Sequence, residues 1–134
     1  MNGTKHSSNK PIASDELRDA MALYLTGVTV VTVTGPRQIP YGLTVNSFNS
    51  VSLNPPLILW SLDKRNEKLS LFRGSNGFAV NIMTSDQLAL CQKFAAADSD
   101  RFADCDWYFG PFGQPVLVNA LANLECRPWA EYNG

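Results

Sequence analysis

The chain has 134 residues and a formal net charge of −1, with 11 basic and 12 acidic side chains. This length suits one domain with one modest hydrophobic core. The basic residues are scattered, so the sequence offers no positive face of the kind that a nucleic-acid backbone requires. No apolar run approaches the roughly twenty residues of a membrane-spanning helix, and no signal peptide opens the chain. We therefore expect a cytoplasmic protein without nucleic-acid or membrane partners.

Cysteine and histidine, which are typical zinc ligands, are few in this chain. The cysteines Cys91, Cys105 and Cys126 lack metal-ligand spacing and are odd in number, which indicates reduced structural thiols. The only histidine, His6, lies in a polar stretch that we expect to be a disordered leader over residues 1–13. The domain then covers residues 14–134, and we expect no metal site and no histidine-based catalytic pair.

The first elements follow from periodicity and turn residues. Ser14 is expected to cap a helix that ends at Gly27 and has one apolar face, formed by Leu17, Met21, Tyr24 and Leu25. A β-branched run from Val28 to Thr34 predicts a strand, and Gly35 with Pro36 predicts a turn into a second strand.

An interrupted alternation follows in the second strand. Leu43 and Val45 share one face, but Phe48 falls on the opposite parity. This break predicts two short strands joined by a bulge or tight turn over residues 46–50. Such a turn would present polar groups outside the core, on Thr44, Asn46, Ser47, Asn49 and Ser50. An ordinary polar β-turn explains the same pattern equally well.

The remaining pattern alternates strands with short helices. Residues 57–62 are expected to form a fully buried strand, followed by a charged turn at 63–66 and a short helix that passes Phe72 and stops at Gly74. Residues 78–83 predict another strand, and Thr84 with Gln87 a capping box for a further helix. Residues 98–114 are expected to be a surface loop. Residues 120–126 alternate as in a strand with one wetter face.

The last residues resemble the opening of a hairpin. Asn133 and Gly134 suit a two-residue turn, yet no second strand follows them. We expect a chain cut within a hairpin. A complete chain with a frayed tail is the alternative.

Several motifs together resemble a known family. In chain order they are Thr26-Gly27-Val28-Thr29-Val30-Val31-Thr32, Gly42-Leu43-Thr44-Val45-Asn46-Ser47-Phe48, Ser50-Val51-Ser52-Leu53-Asn54-Pro55-Pro56-Leu57, Phe78-Ala79-Val80-Asn81-Ile82, Lys93-Phe94-Ala95, Asp100-Arg101-Phe102, Trp107, Ala120-Leu121-Ala122 and Leu124-Glu125-Cys126. From about Asp15 to the last residue, the chain resembles the flavin reductase-like, FMN-binding split-barrel family. The resemblance implies a mainly β fold with flanking helices, a Greek-key split β-barrel that is incomplete at its C-terminal end.

The resemblance also implies a function. Family members are NAD(P)H-dependent flavin reductases that bind FMN or FAD and take hydride from NADH or NADPH. They are typically homodimers with the flavin near the subunit interface, and some supply reduced flavin to a partner monooxygenase. Members continue after the hairpin with a Gly-Asp-His motif that is associated with nicotinamide binding.

Candidate flavin contacts fall in three segments. The resemblance places the flavin ring against Thr44, Val45, Asn46 and Ser47, and it places Phe94 at the border of the flavin, although the helical spacing of Phe94 is also that of a core residue. Backbone N–H groups and positive charge at a helix start suit the flavin phosphate, and an ordinary solvated helix start is the simpler alternative. The candidate phosphate residues are Ser61, Leu62, Asp63, Lys64, Asn66 and Lys68. The family often has Ser and Thr where this chain has Asn66 and Lys68.

Hydride transfer from nicotinamide to flavin depends on binding and orientation more than on an acid or base. We therefore assign no catalytic residue. Trp60, Trp107 and Trp129 fit packing better than ring stacking. Two alternatives remain open: a flavin-binding module without turnover because the nicotinamide-binding part is absent, and a β-barrel that binds another small ligand.

Overall fold

The computed structural model describes residues 12–17, 27–45, 48–84, 102 and 106–132. Within these ranges the chain forms eight strands and one short helix. They are β1 Gly27–Thr34, β2 Pro40–Val45, β3 Phe48–Leu53, β4 Pro56–Trp60, α1 Leu69–Arg73, β5 Phe78–Thr84, β6 Trp107–Phe109, β7 Pro115–Leu117 and β8 Ala122–Cys126. Residues 14–17 form a helical turn.

The strands form one larger sheet and two hairpins. The four-stranded sheet has the order β2-β1-β5-β8, and every neighbouring pair is antiparallel. The β-branched strand β1 lies in its middle, where Val31 faces Leu43 on one side and Val80 on the other. The hairpins are β3–β4 and β6–β7. The strands predicted over 28–34 and 78–83 are confirmed, as is a mainly β fold.

One face of the sheet carries the main hydrophobic core. Trp60 from β4, Phe72 from α1 and Phe78 from β5 pack edge to face, with ring centroids 4.9–6.0 Å apart. The buried members of this core are Leu17, Val31, Val33, Leu43, Phe72, Phe78, Val80, Ile82, Ala122 and Leu124. The predicted short helix is confirmed, with Gly74 as its C-terminal cap.

The opposite face of the sheet is covered by the β6–β7 hairpin, through a buried polar network. Asn81 Nδ2 donates to Val30 O and to Thr32 Oγ1, and Asn81 Oδ1 accepts from Leu117 N and from Asn123 Nδ2. These bonds join strands β1, β5, β7 and β8. Buried amides are tolerated here because their donors and acceptors have partners.

The hairpin contradicts one expectation and agrees with another. Residues 98–114 were expected to be a surface loop, but β6 lies within them and Gln114 is fully buried. The strand predicted over 120–126 is confirmed as Ala122–Cys126, and its predicted wetter face is the less buried one: Glu125 is half-buried and Arg127 is exposed, although the hairpin covers Asn123. An alternation of polar and apolar residues shows which residues share a face and not whether another element covers it.

The β3–β4 hairpin corrects two more. Residues 57–62 were expected to form a fully buried strand; β4 ends at Trp60, and Leu59 is 51% exposed. The expected turn over 46–50 is too long, because Phe48, Asn49 and Ser50 belong to β3. A register shift between Ser50 and Ser52 instead leaves Val51 as the extra, exposed residue of a bulge.

The first helical turn differs from its prediction in the contacts that cap it. Ser14 does not cap its helical turn with its side chain: its hydroxyl donates to Leu53 O at 3.0 Å, and Glu16 Oε1 accepts from Ala13 N. Gly27 is the first residue of β1. The rest of the predicted first helix, residues 1–11, the helix after Thr84 and residues 133–134 lie outside the described residues. In the described ranges, no helix is long and apolar enough to cross a membrane.

Candidate functional site

The strand register brings two candidate flavin segments to one end of the β3–β4 hairpin. β2 ends at Val45 and β3 begins at Phe48, so two residues separate them and their Cα atoms lie within about 11 Å. Phe48 is paired with Trp60, the last residue of β4, and Ser61 follows directly. Val45 of the first candidate segment and Ser61 of the second therefore both lie near the open end of the hairpin.

Strand β2 presents a backbone edge at this place. It is an outer strand of the four-stranded sheet, with β1 as its neighbour in the described ranges. The outward backbone groups of such a strand can bond other groups, and Gly42 and Thr44 of β2 both have interaction partners. The side chain of Val45 packs against the main core. Thr44 is partly exposed.

The segment after β4 forms a compact turn through two side chains. Asp63 Oδ1 accepts from the backbone N–H of Arg65 at 2.8 Å, and Asn66 Oδ1 accepts from the N–H of Lys68 at 2.8 Å. Backbone bonds from Asn66 N to Asp63 O and from Leu69 N to Asn66 O lead into α1. These bonds fix the turn without a ligand, and they use some of the N–H groups that a phosphate would need.

Charge in the turn is partly neutralised. The Arg65 guanidinium donates to Asp63 from Nε at 3.2 Å and from Nη2 at 3.0 Å. Hydrogen bonds from Arg65 hold the pKa of Asp63 below its ordinary value, and Asp63 in turn raises the pKa of Arg65. Lys64 is exposed and has no carboxylate partner within residues 48–84. Arg65 was not among the predicted ligands; its place two residues after Asp63 is the only sequence signal for this pair.

The other residues considered for the site differ in their surroundings. Ser61 is exposed beside the hairpin opening, and Leu62 packs against the main core. Asn46, Ser47 and Phe94 lie outside the described residues, so their roles stay predictions. Trp60 packs as expected and Trp107 lies edge to face on two phenylalanines, whereas Trp129 is 74% exposed.

The described residues form no group of three or more side chains suited to a metal ion. Of the cysteines, only Cys126 lies in these ranges, and it is a free thiol. Burial, and then the charge of Glu125, raise its pKa to about 12. A thiol with such a pKa stays protonated and is a poor nucleophile or metal ligand.

Comparison with known proteins identifies the family. The Flavin reductase like domain matches residues 21–134, which is most of the chain. The chain belongs to this family. The motifs that carried the resemblance lie within the matched range, and the mainly β fold agrees with solved members of the flavin reductase family.

Two relatives and one solved structure illustrate the similarity. The chain is 42% identical over 120 residues to the FMN reductase (NADH) SmoA of Agrobacterium fabrum, covering 90% of this chain and 68% of that protein. It is 41% identical over 110 residues to the stachydrine N-demethylase reductase subunit Stc3 of Rhizobium meliloti, covering 82% and 48%. The Streptomyces globisporus NADH:FAD oxidoreductase SgcE6, solved with NAD and FAD fragments, superposes with a TM-score of 0.74 at 35% identity, covering 93% of this chain and 78% of that one. The chain thus spans about half to two thirds of the length of these two relatives.

Proposed function

We propose that this chain is an NAD(P)H-dependent flavin reductase, which binds FMN or FAD and transfers hydride to it from NADH or NADPH. The observation that supports the proposal is the pairing of Phe48 with Trp60, because Val45 lies three residues before Phe48 and Ser61 directly follows Trp60, so residues of the two candidate flavin segments can lie close together. Family membership and the names of the relatives, one an NADH-dependent FMN reductase, support the same reaction.

The described residues fit a flavin in two respects. Thr44, near the end of β2, is half-buried and carries a hydroxyl, a group that can bond the polar edge of the flavin ring. The turn after Ser61 carries cations and backbone N–H groups, which match a phosphate. When bound, the flavin itself supplies the hydride chemistry. The chain's own residues would hold the ring against the segment 44–47 and the phosphate against the segment 61–68, with Phe94 bordering the flavin.

We further propose a homodimer. Residues 48–62 contain no charged side chain, and the β3–β4 hairpin exposes Val51 and Leu59, which are 59% and 51% exposed. Depletion of charge and exposure of apolar side chains are typical of the centre of a protein interface. This surface adjoins the candidate flavin segments, so a second copy there would shield the flavin from water.

We also propose that the reduced flavin serves a partner monooxygenase in the cytoplasm. Several relatives are named as reductase components of monooxygenases. One is the reductase component of the flavin-dependent trigonelline monooxygenase of Acinetobacter baylyi. The free thiol of Cys126 is compatible with a reducing compartment.

One titration tests the reaction. FMN and FAD are added to the purified chain, and oxidation of NADH and of NADPH is followed at fixed flavin. Flavin binding with turnover supports the reductase. Flavin binding without turnover would favour the flavin-binding module, and a protein that binds no flavin would refute both.

Two variants test the site. Replacing Asn46 and Ser47 together by Ala should weaken flavin binding by about 1–3 kcal/mol, because polar ligand atoms lose their partners. Replacing Lys64 and Lys68 by Gln should weaken FMN but hardly affect riboflavin, which lacks the phosphate. Unchanged affinity in the first variant, or equal losses for both ligands in the second, would show that the flavin lies elsewhere.

A further inference from the structure

The ion pair in the candidate phosphate turn uses both carboxylate oxygens of Asp63. Asp63 Oδ1 accepts from both the backbone N–H and the Nε of Arg65, at 2.8 and 3.2 Å, while Oδ2 accepts from Nη2 at 3.0 Å. The carboxylate therefore holds the guanidinium and also occupies a backbone donor of the same turn. Both groups are of the kind that bind phosphate.

We infer that Asp63 limits the affinity of this turn for phosphate, by holding Arg65 and by keeping a negative charge beside the phosphate position. The inference rests on the proposed function, because it takes the turn to be the phosphate site. Asp63 is then an affinity-determining residue of the flavin site.

The exposure of the pair decides how it responds to a phosphate. The side chains of Arg65 and Asp63 are 90% and 56% exposed, and such surface pairs are weak. A phosphate can therefore take the guanidinium away from Asp63. The bond from the backbone N–H of Arg65 still holds the carboxylate in the turn, where it repels the phosphate. Residues 63–66 carry two positive charges, on Lys64 and Arg65. The carboxylate of Asp63 stays in the turn and offsets one of them.

This restraint fits an enzyme that must release its flavin. A turn with all its cations available would hold a phosphate-bearing flavin more tightly and slow its exchange. With Asp63 in place, the ring contacts contribute more of the affinity, and the phosphate contributes less.

Asp63→Asn tests the inference directly. The amide oxygen can still accept from the Arg65 N–H, so the turn should keep its shape while the charge is lost. At low ionic strength we expect FMN to bind about 3- to 10-fold more tightly than to the unchanged chain, and riboflavin to bind equally. Dissociation constants come from flavin fluorescence, and thermal unfolding of the flavin-free protein checks that the variant is folded.

Two further variants serve as controls. Asp106→Asn makes the same change of charge at an exposed aspartate outside the turn, and should leave FMN binding unchanged. Adding Arg65→Met to Asp63→Asn should abolish most of the gain over the unchanged chain, because the loss of one cation and one anion returns the turn to its original net charge.

The outcomes separate the inference from the proposed function. Tighter FMN binding by Asp63→Asn alone, with riboflavin unchanged, supports the inference. If the unchanged chain binds and reduces flavin but Asp63→Asn and Asp106→Asn have equal effects, or Asp63→Asn has none, the inference is wrong and the reductase stands. If the unchanged chain binds no flavin, both are wrong.

Discussion

Strand β1 contains two buried threonines whose hydroxyl groups have opposite effects on stability. Thr29 and Thr32 are both fully buried. Thr32 Oγ1 donates to Pro115 O at 2.6 Å and accepts from Asn81 Nδ2. Within the described residues, Thr29 Oγ1 is buried and has no hydrogen-bond partner. An unpaired buried hydroxyl costs free energy that an apolar side chain of similar size avoids.

Replacing each threonine by Val should therefore change stability in opposite directions. We expect Thr29→Val to raise the free energy of unfolding by about 1 kcal/mol, and Thr32→Val to lower it by about 1–3 kcal/mol, because Pro115 O and Asn81 lose a partner. Equilibrium urea unfolding measures both, and each variant is the control for the other. Equal losses in the two variants would contradict this account of Thr29.

Cys126 makes stability depend on pH in the alkaline range. The residue is partly exposed, but its thiol donates to Leu124 O and it packs against the main core, with its pKa raised to about 12. The unfolded chain loses this proton near the ordinary cysteine value of 9, whereas the folded chain keeps it. Folding is therefore favoured fully below pH 9, and the contribution is lost as pH rises from 9 towards 12.

Unfolding free energies at pH 8 and pH 10 test this effect. Between these values the unchanged chain should lose about 1 kcal/mol more than Cys126→Ala, which has no thiol to titrate. The variant corrects for tyrosines and lysines that titrate in the same range. Parallel losses in the two proteins would show that the thiol is accessible to water.

At the scale of elements, the β6–β7 hairpin was the feature that the sequence did not reveal. Its strands have three residues each, too few for an alternation to be read. The sequence pattern did predict β1, β5 and α1, because their runs are long or are ended by glycine. What holds the hairpin is tertiary: Thr32, Asn81 and Asn123 bond the backbone of β7 through their side chains.

Gly77 and Gly74 each lie at the end of an element, and they differ in how much space surrounds them. A Cβ on Gly77, just before β5, would lie 2.6 Å from Phe112 Cβ and 2.7 Å from Cys126 O. A Cβ on Gly74, after α1, would lie 3.5 Å from Ser70 O, which is ordinary contact. Of these two glycines, only Gly77 lies where the turn between β6 and β7 approaches the sheet closely.

Gly77→Ala and Gly74→Ala form a matched pair. We expect Gly77→Ala to lower the free energy of unfolding by about 1–3 kcal/mol, because the hairpin must move away from the sheet. Gly74→Ala should change it by less than about 0.5 kcal/mol, since its backbone is already in the right-handed helical region. Thermal and urea unfolding measure the difference. A tolerated Gly77→Ala would mean that the hairpin packs less closely than these distances indicate.

At the scale of the whole molecule, the uncharged surface of the β3–β4 hairpin governs the proposed dimer. Leu59→Lys should shift the protein from dimer to monomer, because it introduces a charge into an apolar contact. Ile39→Lys is the control: Ile39 is 44% exposed, but it lies at the turn between β1 and β2. Sedimentation velocity gives the masses. A monomeric unchanged chain, or a dimer unaffected by Leu59→Lys, would contradict the proposed interface.

The amino-acid sequence by itself determined the family, the central strands and the short helix, because these depend on local patterns: β-branched runs, helix-ending glycines and the motif around Gly42. It also pointed to the candidate flavin segments, whose residue types suit a flavin. Only the tertiary structure decided which surfaces are covered. Asn123 is buried because it contacts residues of other strands, and Leu59 is exposed because no other element of the described residues covers it. The same holds for the site: composition counts Arg65 as a cation, but only the folded turn shows that Asp63 already holds it.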